Sequence, residues 1–193
     1  MKKSRLAVAT AATAVAALAF SAAPAYADDH DSIVDIAIAA SGGGAPDDNP
    51  NDYDLLVQAV IYAELVEVLD DPNASLTVFA PTDAAFLKLV TDLTGTAPAS
   101  EADALTTIAT AFSPAEVGNI LLYHAVGGEV TFPGAVRAGT IEMANGGAVT
   151  VRGVNLVDES PALTDPKIVV KASNIQASNG VIHTIDRVLV PGS

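Results

Sequence analysis

Apolar and polar residues alternate with two different periods along the chain. In the first half, the spacing is helical. Ser32 can cap a short helix whose apolar side is Ile33, Ile36, Ala37 and Ala40, and the glycines at 42–44 stop it. A polar, acidic segment APDDNPNDYD follows at 45–54, and its last aspartates stand at the start of a long apolar run, LLVQAVIYAELVEVL at 55–69. Only Gln58, Glu64 and Glu67 interrupt that run, which predicts one helix buried on most sides, with negative charge favourably placed at its N-terminus. LTVFAP at 76–81 reads as a strand. Thr82 is then a candidate N-cap, Asp83 falls in a first helical turn, and Phe86, Leu89 and Val90 recur at i, i+3 and i+4. Ser100 opens a further helix with the stripe Leu105, Ile108, Ala109 and Phe112. Ser113-Pro114-Ala115-Glu116 combines a capping box with proline at the first helical position and predicts a helix from Pro114 to about His124.

From Glu129 onward the period shifts toward two. Asn145-Gly146-Gly147 between TIEMA and AVTVRG predicts a hairpin. KIVVKA at 167–172 and VIHTIDRVLV at 181–190 read as strands, with Ser178-Asn179-Gly180 as the turn before the last. Neither alternating set of that last strand is fully polar, so it belongs inside a sheet with both faces covered. Helices first and strands afterwards predict an α+β fold.

The leader changes the picture of where the chain works. Lys2, Lys3 and Arg5 precede an Ala/Val/Leu-rich run from Leu6 to Phe20 and an Ala25-Tyr26-Ala27 cleavage pattern, so residues 1–27 read as a secretory signal and 28–193 as one domain. The run is shorter than the ~20 residues of a spanning helix. The chain carries 9 basic and 23 acidic residues; removing the three basic residues of the leader takes the formal charge from −14 to −17. Such a surface repels phosphate backbones and anionic lipid heads, which argues against nucleic acid and against membrane insertion. With no cysteine, disulfides and thiolate chemistry are excluded, and packing has to hold the fold.

Candidate chemistry is sparse. No nucleophile elbow, zinc-protease helix or glycine-rich phosphate loop occurs. The histidines are His30, His124 and His183. His124 lies on the stripe of Val117, Ile120 and Leu121, and His183 sits in a strand between apolar neighbours, so both read as hydrogen-bonded core histidines. Aligning Asp47 with the first position of a calcium-binding EF-hand loop puts Asn49 and Asn51 at positions 3 and 5, but Asp52 replaces the glycine and Gln58 the bidentate glutamate. The acidic loop therefore reads as solvated, and no metal or cofactor is expected. Asn73-Ala74-Ser75 matches the N-glycosylation pattern.

TVFAPTDAAF (77–86), LLYHAV (121–126) and NGVIHTIDRVLVP (179–191) together resemble the first signature box, the central Tyr-His motif and the second box of the fasciclin domain family, in the right order. The resemblance covers nearly the whole of 28–193 and is to the single-domain, secreted bacterial kind. It implies a wedge of antiparallel strands with helices packed along one side. It also implies that Thr82, Asp83, His124 and His183 hold the fold, and it makes Tyr123, His124 and Asp186 candidate contact residues. The acidic loop is longer than the family pattern, and 129–178 matches it loosely. The function implied is not enzymatic: an extracellular module that binds a protein, cell surface or polysaccharide in adhesion or matrix. The alternative is a protein that holds a small apolar ligand between sheet and helices.

Overall fold

The computed structural model describes residues 31–192, so the leader at 1–27 and His30 lie outside the described residues. Helix α1 (Ile33–Ala40) begins with a full capping box: the Ser32 side chain accepts from the Asp35 N–H, and the Asp35 carboxylate accepts in return from the Ser32 N–H. The apolar run at 55–69 is not one helix. It divides into α2 (Asp54–Tyr62) and α3 (Val66–Leu69) because Glu64 takes a left-handed conformation, φ 58°. The Glu64 and Leu65 N–H groups then bond back to the Ile61 and Val60 carbonyls at 3.1 and 3.0 Å, a helix-ending arrangement usually made with glycine.

Strand β1 (Leu76–Pro81) passes straight into α4 (Asp83–Thr94). Helices α5 (Glu101–Ala111) and α6 (Pro114–Leu122) follow, with Ser100 and Ser113 as side-chain caps and the capping box at Ser113 and Glu116 complete. Ala109 stands exposed on α5, and Ala104 takes the buried position in its stripe. The helix from Pro114 closes at Leu122, with Tyr123 as its C-cap. After β2 (Ala125–Gly127) come α7 (Gly134–Ala138), β3 (Thr140–Glu142), β4 (Ala148–Arg152), β5 (Asn155–Val157), β6 (Ile175–Ala177) and β7 (Gly180–Ile185). The hairpin at Asn145-Gly146-Gly147 joins β3 to β4, with Gly146 at φ 88°.

Two sheets result, ordered β2-β1-β7-β6 and β3-β4-β5. All strand pairs are antiparallel except the central β1–β7 pair, which is parallel from Leu76↔Gly180 to Pro81↔Ile185. Every residue of β7 is buried. The strand stops at Ile185 rather than running to Val190; Val188 then enters the helical core and Leu189 the opposite one. KIVVKA is not a regular strand either. Ile168 pairs with Ile185 and Ile175 with Ile182 along the same edge of β7, so the intervening residues, including a 3-10 turn at Val170–Ala172, bulge outward.

The larger sheet separates two cores. On one side Val78, Ala80 and Ile182 pack with Leu55, Phe86, Ile108 and Leu121 from the helical layer. On the other, Phe79 and Ile185 pack with Val149, Val151 and Leu156 of the small sheet. The period of two in β1 therefore serves both faces.

Candidate functional site

Tyr123 and His124 follow directly on α6, and the turn there points both inward. His124 is 2% exposed. Its Nδ1 lies 2.7 Å from the Ile120 carbonyl oxygen, and its Nε2 accepts the Leu189 N–H at 2.9 Å. A bare Nε2 requires the proton on Nδ1, so the ring is neutral and both nitrogens are engaged. Burial pushes its pKa down to about 4. Tyr123 is fully buried; its hydroxyl donates to the Ala148 carbonyl at 2.8 Å and accepts the Glu159 N–H at 3.2 Å. Burial, reinforced by the Glu159 charge, raises its pKa to about 12.

His183, on β7, carries the opposite tautomer. Its Nδ1 accepts the Asn174 N–H at 3.1 Å, and Nε2 donates to the Val130 carbonyl at 2.7 Å. Its ring lies 5.6 Å from that of Phe79, and burial lowers its pKa. Asp186 is half-buried at the end of β7. Its carboxylate accepts the Lys167 N–H at 2.7 Å and its own N–H bonds the Lys167 carbonyl at 3.1 Å, which pins the start of the 167–172 segment to the end of β7.

Thr82 occupies the N-cap position of α4, but its side chain makes no capping bond. Asp83 caps a different helix. Fully buried, its carboxylate reaches across to the start of α2 and accepts the N–H groups of Asp54 at 3.2 Å and Leu55 at 2.8 Å.

Around Asp83 the structure assembles a group that the sequence reading did not find. The loop at 45–54 is solvated only as far as Asn51; Asp52 and Asp54 are buried. Asp54, Asp83 and Glu101 are each the first residue of a helix, α2, α4 and α5, and the three helix starts converge. Carboxylate oxygens of Asp54, Asp83 and Glu101 lie within 4.8 Å of one another, as do those of Asp47, Asp52 and Asp54. Glu101 accepts the Asp47 N–H at 2.9 Å. Both oxygens of Asp54 and Oδ1 of Asp52 have no hydrogen-bond partner. Burial, and then the neighbouring carboxylates, raise the pKa values of Asp54 and Glu101; the same causes and the nearby Asp52 carboxyl take Asp83 up to about 8. Each helix start offsets negative charge by roughly 0.3–1 kcal/mol, against several kcal/mol for a buried carboxylate without a partner. Acids at helix starts were visible in the sequence, but nothing in it said that three of them meet.

Two apolar cavities flank α1. The larger, about 470 Å³, lies between α1 and the sheet and is lined by Ile36, Ala40, Tyr53, Leu56, Ile175 and Ile182, with Asp31 and Lys171 also lining it. The smaller, about 140 Å³, reaches down to His124.

A four-stranded sheet with a parallel central pair, helices on one face and a small sheet on the other, is held together by internally bonded histidines. Residues 51–191 match the fasciclin domain, and the chain belongs to that family. It is 34% identical over 144 residues to protein sll1735 of Synechocystis, covering 72% of this chain and 90% of that one. It is 35% identical over 127 residues to the immunogenic protein MPB70 of Mycobacterium bovis, covering 65% of this chain and 55% of that one. The FAS1 domain pair of the insect cell adhesion molecule fasciclin I superimposes with a TM-score of 0.59 at 13% identity, over 83% of this chain and 51% of that chain.

Proposed function

We propose that this protein is an exported extracellular interaction module that binds a protein, cell-surface or polysaccharide partner in adhesion or matrix assembly, and that it is not an enzyme. One observation carries this reading: both histidines of the described domain spend both ring nitrogens on holding backbone segments together, leaving neither free to act as a base. Family membership and the likeness of fold to a cell adhesion molecule support it. Export rests on the leader at 1–27. No helix among the described residues is long and apolar enough to cross a membrane.

The cavity between α1 and the sheet favours a second reading, a small ligand with an apolar body, because it is concave, mostly apolar and bordered by a few polar groups. One experiment separates the two. The exported chain is used to pull partners from culture medium and cell-wall fractions, and its intact mass is measured under denaturing and native conditions. A macromolecular partner with no retained small molecule supports adhesion. A retained small molecule that Ala37→Phe expels supports the ligand reading. A denatured mass that does not begin at Asp28 refutes export by cleavage after Ala27.

A further inference from the structure

We propose that Asp54, Asp83 and Glu101, flanked by Asp47 and Asp52, form a binding site for a hard divalent cation of the size of calcium. Asp54 is 0% exposed, its carboxylate reaches into the cluster, and neither of its oxygens has a hydrogen-bond partner; Oδ1 of Asp52 has none either. No lysine, arginine or histidine nitrogen pairs with any of the five acids among the described residues. Buried carboxylates are found with a cation or a proton donor, and here the protein supplies too few donors for the oxygens present.

The geometry fits an ion. Two oxygens bound to one calcium at about 2.3–2.6 Å can stand no more than about 5 Å apart. Each acid triad meets that limit by itself at 4.8 Å, Asp47, Asp52 and Asp54 on the loop side and Asp54, Asp83 and Glu101 at the helix starts, and Asp54 belongs to both. Asp83 keeps its bonds to the start of α2 while offering its remaining lone pairs, since a carboxylate accepts at about four sites. The donors are all carboxylate oxygens, which selects hard ions over zinc or copper. Several carboxylates able to bind through one or two oxygens suit calcium, with its 6–8 ligands, better than magnesium with its strict octahedron. The site is not an EF-hand loop. Asp54, Asp83 and Glu101 are the first residues of separate helices, so the ion ties the starts of α2, α4 and α5 together and makes the helical layer sensitive to extracellular calcium.

The test uses the exported chain, stripped with chelator and desalted. Calorimetric titration with calcium chloride is expected to show one ion per chain. Millimolar calcium is expected to raise the melting temperature by about 5 °C or more over sodium or magnesium chloride at equal ionic strength. Asp54→Asn and Glu101→Gln are each expected to weaken calcium binding by about tenfold or more, whereas Asp71→Asn, which removes an exposed acid elsewhere, leaves it intact. In chelator, Asp54→Asn is expected to melt at or above the wild-type temperature, because it removes a buried charge. Absence of calorimetric heat and of a calcium-specific melting shift in the wild-type chain overturns the proposal. So does calcium binding that both Asp54→Asn and Glu101→Gln retain at full strength.

Discussion

The Leu189 N–H donates to Nε2 of His124 across 65 positions of sequence, at 2.9 Å. This bond fastens the segment that leaves β7 to the end of α6, while Nδ1 of the same ring satisfies the Ile120 carbonyl. Replacing His124 with Ala leaves the buried Leu189 N–H and the partly buried Ile120 carbonyl without these partners. The cost is at least about 2 kcal/mol, a fall of roughly 4–8 °C in melting temperature by circular dichroism. Partner binding is expected to fall only in step with folding. A variant that melts like wild type but no longer binds would make this residue a direct contact.

Protonation acts on the same bond. The folded-state pKa of His124 is about 4, below the ~6.5 of the unfolded chain, so between those values the unfolded state takes up a proton that the folded state does not. The stability this residue contributes is complete above pH 6.5 and is lost as pH falls toward 4. Asp83 works in the opposite direction: with its pKa raised to about 8, it favours the folded state at low pH and loses that contribution as pH rises. The histidine effect is therefore read as a difference. Denaturant melts of wild type and His124→Ala are expected to converge by about 3 kcal/mol from pH 7 to pH 4.

Gly180 opens β7 at φ 154°, and a Cβ there would stand 2.0 Å from the Leu76 backbone carbonyl oxygen. That oxygen belongs to the partner strand and cannot yield without parting β1 from β7. Gly180→Ala is expected to destabilise by about 3 kcal/mol or more, or to prevent soluble expression, whereas Gly95→Ala, where nothing lies within 4 Å, meets only the strain of its left-handed φ of 73°, about 1 kcal/mol, and keeps a folded domain.

Asn179 is buried in the β6–β7 turn. It accepts the Ile33 N–H at 2.9 Å and donates to the Leu69 and Asp71 carbonyls at 2.8 and 3.2 Å, so one side chain binds the start of α1 and the end of α3. Asn179→Ala is expected to cost roughly 2–4 kcal/mol. Hydrogen exchange should show α1 losing protection before the sheet does; equal loss throughout would mean that α1 is held by packing alone.

Local chemistry alone made several elements legible. The Ser32 and Ser100 caps, the capping box at Ser113, the Asn145-Gly146 hairpin and the doubly covered start of the strand read at 181–190 all depend on neighbours a few residues apart, and the fasciclin boxes at 77–86 and 179–191 overlie the parallel pair. The break in the apolar run at 55–69 was hidden because Glu64, not glycine, adopts the left-handed conformation there. KIVVKA lost its strand because β7 offers a short edge that β6 already shares, a competition decided by strands distant in sequence. Tertiary structure alone decided the destinations of the polar groups. Asp83 stands beside Thr82 in the chain but caps α2, and Asp54 and Glu101, 47 positions apart, share one buried space because three helix starts converge on it. Helical period and capping residues report what a segment does with its own backbone. Where its charges are buried, and against what, follows from packing that no short window of sequence contains.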